Sequence, residues 1–141
     1  MNESWRLFWG IELPRATREA LAAALAPLRR GAPGLRWTSP ESWHITAYFL
    51  GDVAPTRVPE IVEAGARAAA RAQPLELVLR GLGRFPESGN ARVHWIGCDG
   101  ELEALRAAAN ELALEMVGLG LPVDEKPLIP HVTIARAPRR G

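Results

Sequence analysis

The chain of 141 residues has little of what builds disulfide frameworks or membrane spans. It contains a single cysteine, Cys98, which excludes an internal disulfide and is typical of a protein from a reducing compartment. No apolar run approaches the length needed to cross a bilayer, and the first residues contain no apolar signal segment. We therefore expect a cytoplasmic protein without a membrane partner.

The chain also has little net charge and almost no lysine. The formal net charge is +1, and Lys126 is the one lysine beside sixteen arginines. So small a net charge cannot steer non-specific binding of nucleic acid, which means that any basic site has to be local. The abundance of arginine is attributed to codon usage, and by itself it indicates no phosphate site.

Hydrophobic residues make up 48% of the chain and charged residues 23%, as in an ordinary globular protein that buries a core. Apolar periodicity predicts three amphipathic helices, in which Pro27 should kink or end the first. Strands are predicted where β-branched and aromatic residues alternate between turn signals. The helices are expected at about 14–30, 56–71 and 102–118, and the strands at about 5–13, 35–38, 43–50, 75–80, 92–97 and 131–136.

Histidine and threonine are scarce, yet they recur in one arrangement. The chain has three histidines and five threonines, and both His44-Ile45-Thr46 and His131-Val132-Thr133 place a histidine two residues before a threonine. On a strand, residues two apart share a face, so each motif presents an imidazole beside a hydroxyl. His94 has Ile96 at the corresponding position and is expected to be structural.

The two motifs occupy similar places in the two halves of the chain. Trp9 precedes His44 by 35 residues and Trp95 precedes His131 by 36, with a predicted helix in between each time. This weak repeat predicts an α+β fold within one domain over 1–141. We expect two similar lobes of mostly antiparallel sheet, with helices on the outside, facing across a central cleft. Their approximate extents are 1–72 and 73–141, with exchange of elements allowed.

Two imidazoles and two hydroxyls suit an in-line displacement at phosphorus. A neutral imidazole takes a proton from the nucleophile, a charged one gives a proton to the departing oxygen, and each transfer contributes roughly 10²–10⁴-fold in rate. Threonine hydroxyls donate hydrogen bonds to the non-bridging phosphate oxygens. A metal or other cofactor is not required, and a zinc site is not expected because no Cys, Asp or Glu stands at ligand spacing in either motif.

Both motifs resemble the paired HxTx motifs of the two-histidine phosphoesterase superfamily. More narrowly, the chain is similar to the bacterial RNA 2′,3′-cyclic phosphodiesterases, historically called 2′-5′ RNA ligases. The resemblance extends over nearly the whole chain. It includes Arg36-Trp37 before the first motif, Phe49-Leu50-Gly51 after it, and Pro130 to Arg136 around the second. Ala47 and Tyr48 depart from the residues usual in relatives.

The resemblance implies a role for each motif residue. His44 is the expected proton donor, His131 is the expected proton acceptor, and Thr46 and Thr133 hold the phosphate. Arg136 matches an arginine of the second motif and is expected to add a charge-assisted phosphate contact. Strict alternation would put Arg136 on the opposite face from His131, so this role requires a bend after Thr133. Tyr48 is expected at the edge of the cleft.

The implied substrate is an RNA or oligonucleotide that ends in a 2′,3′-cyclic phosphate, and the implied product is a 2′-phosphomonoester. The reverse reaction would join ends through a 2′-5′ linkage. We expect the protein to act as a monomer. Two alternatives stay open: the same chemistry on a small nucleotide such as ADP-ribose cyclic phosphate, or a non-catalytic module that binds RNA ends.

Overall fold

The computed structural model describes residues 3–139, in which three α-helices, two short 3-10 helices and six strands follow one another along the chain. None of the helices in this range is both long and apolar enough to cross a membrane. The elements are β1 (Trp5–Glu12), α1 (Arg15–Gly31), β2 (Arg36–Trp37), β3 (His44–Val53), α2 (Val58–Arg71), β4 (Leu77–Phe85), β5 (Val93–Gly100), α3 (Leu102–Gly118) and β6 (His131–Arg136).

The chain divides into two compact units, each drawn from three separate segments. The first unit comprises the described residues up to Gly10, Thr46–Val78 and Asp99–Ile129. The second unit comprises Ile11–Ile45, Leu79–Cys98 and the described residues from Pro130 onward. Each unit therefore takes segments from both halves of the chain.

The core of the first unit is formed by residues of α2, α3 and the part of β3 from Tyr48 to Val53. Trp9 of β1 packs at this core, and its Nε1 donates a hydrogen bond to Sδ of Met116 at 3.4 Å. A Cβ on Gly65 would overlap the Trp9 indole, so the absence of a side chain at Gly65 lets this ring approach α2. The buried residues of this core are Tyr48, Leu50, Val53, Ile61, Ala64, Ala68, Leu112, Met116 and Leu121.

The second unit is built on a four-stranded sheet in the order β2-β6-β5-β4. β6 is antiparallel to both of its neighbours, with Trp37 opposite Ala135 and Ile96 opposite Val132. Alternation in β6 places Val132 and Ile134 on the buried side of the strand. α1 belongs to the same unit and buries Leu21 and Leu25.

The predicted α+β class with antiparallel sheet is confirmed, and the three helices lie where periodicity places them. α1 does not end at Pro27, as one of the two predicted outcomes required, but continues through this residue to Gly31. Proline removes the hydrogen bond to the carbonyl of Ala23, four residues earlier. Both residues are exposed, so water can hydrogen-bond that carbonyl while Leu21 and Leu25 hold the helix in place. β4 is also longer than predicted and runs on to Phe85.

Candidate active site

The second His-x-Thr motif lies on β6, in the interior of the four-stranded sheet. His131 is opposite Gly97 and Thr133 is opposite Trp95 in the antiparallel pairing with β5. Both motif side chains are half-buried, whereas Val132 between them is buried. The period of two therefore works as predicted here, with the imidazole and the hydroxyl on one face and the apolar residue on the other.

A β-bulge after Thr133 changes the alternation of β6. Trp95 pairs with Thr133 but its neighbour His94 pairs with Ala135, so β6 has one extra residue at this point. Ile134 and Ala135 are consecutive buried residues as a result. The next pair in the ladder joins Val93 to Arg136.

The bulge places Arg136 on the same face of the sheet as His131 and Thr133. Their partners on β5 are Val93, Gly97 and Trp95, which alternate strictly and so share one face. Arg136 is exposed and is the last of these three residues of β6 along the strand. The bend that its predicted role requires is therefore present, and the reason is the single extra residue in β6.

Two aromatic rings surround the His131 imidazole. The ring of Phe85 meets it edge-on with centroids 5.2 Å apart, and the indole of Trp95 is tilted at 5.7 Å. The Phe85 and Trp95 rings also contact each other at 5.1 Å. Aromatic contacts of this kind restrict the orientation of a ring, so His131 is held by side chains from both β4 and β5.

The first motif begins β3, and His44 belongs to the second unit together with His131. Its Nδ1 lies 2.8 Å from the carbonyl oxygen of Ser42. A carbonyl oxygen only accepts, so this hydrogen bond places a hydrogen on Nδ1. Nε2 is then the nitrogen that differs between the neutral and the charged imidazole, and it is the atom suited to proton transfer.

Thr38 connects the segment that leads to His44 with the bulge in β6. Its Oγ1 accepts a hydrogen bond from Nε1 of Trp43 at 2.9 Å and lies 2.9 and 3.0 Å from the carbonyl oxygens of Thr133 and Ile134. The backbone N–H of Thr38 also donates to the Ile134 carbonyl. No local sequence pattern predicts this role, because the partners are 95 and 96 residues away.

His94, the third histidine, lies on the other face of the second unit's sheet. It is opposite Ala135, which is fully buried, and it neighbours Trp95 on β5. His94 and His131 therefore project from different sides of the sheet. The structural role of His94 stays a prediction.

Thr46 and Tyr48 belong to the first unit. Thr46 is half-buried, but Tyr48 is buried in the core of this unit. The Tyr48 hydroxyl donates a hydrogen bond to the Pro122 carbonyl at 3.0 Å and accepts one from the backbone N–H of Asp124 at 3.1 Å. This position does not support the prediction that Tyr48 lines a cleft.

Metal-ligating side chains do not gather anywhere in residues 3–139: no three His, Cys, Asp or Glu residues there are placed to hold a metal ion.

Comparison with known proteins gives one consistent family. The model of the LigT-like phosphoesterases matches residues 11–95, which contain the first motif and end before the second. The chain is 35% identical over 133 residues to an RNA 2′,3′-cyclic phosphodiesterase of Geobacillus stearothermophilus, covering 92% of this chain and 41% of the relative. It is also 35% identical over 138 residues to the Thermus thermophilus protein of the same name, covering 93% of this chain and 68% of that protein.

A solved structure has the same fold. The crystal structure of TT0787 from Thermus thermophilus superposes with a TM-score of 0.81 at 31% sequence identity, covering 97% of this chain and 76% of that one. The chain thus spans well under half of the Geobacillus relative and about two thirds to three quarters of the Thermus proteins. The family model matches residues 11–95, which is more than half of this chain. The chain therefore belongs to the LigT-like phosphoesterase family.

Proposed function

We propose that this protein hydrolyses 2′,3′-cyclic phosphate ends of RNA or oligonucleotides to 2′-phosphomonoesters. The observation that carries the proposal is that a member of this family retains both His-x-Thr motifs, with the second presented on one face of β6 beside Arg136. The names of the Geobacillus and Thermus relatives support the choice of substrate.

In the proposed reaction, neutral His131 accepts a proton from a water molecule whose oxygen attacks phosphorus. Charged His44 donates a proton to the 3′ oxygen as its bond to phosphorus breaks. The phosphate stays on the 2′ oxygen, and the 3′ hydroxyl is restored. After the reaction the two imidazoles have exchanged protonation states, and exchange of protons with solvent resets them.

The remaining site residues act on the charge of the phosphate. The hydroxyls of Thr46 and Thr133 donate hydrogen bonds to non-bridging oxygens, where charge is held in the transition state. The Arg136 guanidinium adds a charge-assisted contact from the same face as Thr133. Phe85 and Trp95 keep the His131 ring oriented for proton transfer.

The same groups would also join RNA ends. In ligation, the 5′ hydroxyl of a second RNA end would take the place of water. His131 would accept the proton of this hydroxyl as its oxygen attacks phosphorus, and His44 would protonate the 3′ oxygen as its bond to phosphorus breaks, which leaves a 2′-5′ linkage. By microscopic reversibility, the same two groups with exchanged roles would cleave that linkage. We propose this ligation as a secondary activity of the site.

The test is incubation of the protein with an oligonucleotide that ends in a 2′,3′-cyclic phosphate, followed by identification of the product. The expected product is the 2′-monophosphate alone, identified by co-migration with a synthetic 2′-phosphate standard and by separation from the 3′-phosphate standard. A 3′-monophosphate would show that the other bond breaks and would overturn the assignment of the leaving group. Absence of turnover would favour the alternative of a module that only binds RNA ends.

A further inference from the structure

Three arginines gather at one end of the sheet in the second unit. Arg36 on β2 is directly opposite Arg136 on β6, and Arg136 is in turn opposite Val93 on β5. Arg92 precedes Val93, and its carbonyl accepts a hydrogen bond from the N–H of Ala137 at 2.9 Å. Neighbouring strands are about 4.8 Å apart, so the side chains of Arg36 and Arg136 leave the backbone close together, and Arg92 lies just before the start of the next strand of the sheet.

This arrangement is electrostatically unfavourable unless something negative binds there. Like charges directly opposite each other on two strands destabilise a sheet. Among residues 3–139, none of these three arginines forms an ion pair. Arginines elsewhere in this range do pair with carboxylates, namely Arg15, Arg57, Arg67 and Arg71.

A cleft opens beside the cluster. It has a volume of about 640 Å³ and is lined by Arg36, Pro86, Asn90, Ala91, Arg92, Ala137 and Pro138. The Arg36 side chain is held in the lining of the cleft, because its Nε donates a hydrogen bond to the Ala137 carbonyl at 2.8 Å. The bond uses one of the five N–H donors of a guanidinium, and the others suit the oxygens of a phosphate. The loop that carries Asn90 is held by Arg84, which donates to the carbonyls of Pro86 and Gly89.

We propose that this arginine cleft binds a backbone phosphate of the RNA upstream of the cyclic end. The inference rests on the proposed function, since it extends the substrate of that site from a terminal nucleotide to a strand. Arg36 and Arg92 are the binding residues, and Asn90 supplies a neutral donor. Arg136 lies between Thr133 and the cleft along β6, so its positive charge connects the motif face with the arginines of the cleft.

The position of the cleft fits an RNA chain that runs along the surface of the sheet, parallel to β6. Arg136 shares the face of His131 and Thr133 and is five residues beyond His131, at most about 17 Å along the strand at 3.3 Å per residue. A phosphate at the cleft would therefore belong to a nucleotide a few positions upstream of the reacting end. A cyclic mononucleotide is too short to reach it.

The experiment compares two substrates, a 2′,3′-cyclic mononucleotide and a short RNA of about six nucleotides with the same cyclic end. The measured quantity is the ratio of kcat/KM for the RNA to kcat/KM for the mononucleotide. We expect the Arg36→Ala/Arg92→Ala variant to lower this ratio about tenfold, since each charge-assisted phosphate contact is removed. Arg36→Lys/Arg92→Lys keeps the charge and should retain most of the ratio. Arg30→Ala, an exposed arginine at the end of α1, is the matched control and should leave the ratio unchanged.

A second measurement does not depend on turnover. Binding of an RNA that ends in a 2′-phosphate is followed at several salt concentrations, and the alanine variant should lose about 0.7 per lost contact from the slope of log K against log salt. If the alanine variant changes neither the ratio nor the slope, the proposal that the arginine cleft binds an RNA phosphate is overturned. If neither cyclic substrate is hydrolysed, the proposed function fails, and the salt series alone decides whether the cleft binds RNA.

Discussion

The indole of Trp95 occupies the space in which a side chain on Gly83 would lie. A Cβ on Gly83 would overlap the six-membered ring of the indole. The same indole contacts His131, with ring centroids 5.7 Å apart. Because Gly83 has no side chain, the Trp95 indole can lie against β4, where it contacts His131, the imidazole expected to act as base.

Gly83→Ala is expected to disturb both stability and turnover. The added methyl group forces the indole to move, and overpacking of this kind costs about 1–3 kcal/mol. Because Trp95 also supports His131, kcat should fall about tenfold while KM changes less. Gly34→Ala is the control, since a Cβ there meets no atom within 4 Å. Thermal unfolding and steady-state kinetics of both variants provide the measurement. If the Gly83→Ala protein is destabilised but keeps the kcat of the unaltered protein, Trp95 does not position His131 for catalysis.

Tyr48→Phe tests whether this tyrosine serves the core or the substrate. The change removes a hydroxyl that bonds to the exposed Pro122 and the half-buried Asp124, and the loss of a typical hydrogen bond costs about 0.5–1.5 kcal/mol. We expect a lower midpoint of unfolding and a KM for the cyclic phosphate close to that of the unaltered protein. A large rise in KM with unchanged stability would instead show that Tyr48 contacts the substrate.

The ion pairs between α2 and α3 predict a dependence of stability on pH. Hydrogen bonds from Arg71 and then Arg67 lower the pKa of Glu115 below its usual 4.5. The same carboxylate and Glu111 raise the pKa of Arg71. For a depressed carboxyl pKa, the stabilisation is fully present above the pKa of the unfolded chain and is lost as pH falls through the lower folded value.

Arg71→Ala should therefore raise the pKa of Glu115 and remove part of this acid-dependent stabilisation. NMR titration of the Glu115 carboxyl gives the direction of the change, and unfolding at pH 7 and below pH 4 gives the loss. Arg106→Ala, an exposed arginine on α3, should leave the Glu115 titration in place. Equal titration of Glu115 in both variants would mean that the ion pair does not persist in solution.

Chelation is expected to have no effect on turnover. In the proposed mechanism, two imidazoles supply the proton transfers, and threonine and arginine donors stabilise the phosphate charge. A metal ion can serve both functions in catalysis. The measurement is hydrolysis of the cyclic oligonucleotide before and after dialysis against excess EDTA. Loss of activity that a divalent ion restores would contradict the proposed mechanism.

Local periodicity was sufficient to predict one part of the site. His131 and Thr133 are two residues apart on a regular stretch of strand, so alternation placed them correctly on one face. The position of Arg136 could not be obtained in this way, because the bulge that reverses the alternation depends on pairing with β5. A strand pattern read from sequence carries no information about an extra residue in the ladder.

Other features depend on contacts between distant parts of the chain. Thr38 meets the bulge through hydrogen bonds to carbonyls more than ninety residues away, and Phe85 reaches His131 from another strand. Tyr48 alternates with Thr46 in the sequence, but its ring is buried in the core of the first unit, and its hydroxyl bonds to the Pro122 carbonyl. Tertiary packing decides which side chains are buried, and alternation alone could not predict it.

The most direct test of the account is single-turnover hydrolysis of an oligonucleotide with a 2′,3′-cyclic phosphate end by three histidine variants. His44→Ala and His131→Ala should each lower the rate by at least about 10²-fold, as expected when one partner in proton transfer is removed. His94→Ala is the internal control, because His94 lies on the opposite face of the sheet from His131, and its rate should stay within a few-fold of the unaltered protein. A folded His94→Ala variant as impaired as the motif variants, or motif variants that retain full activity, would contradict catalysis by His44 and His131.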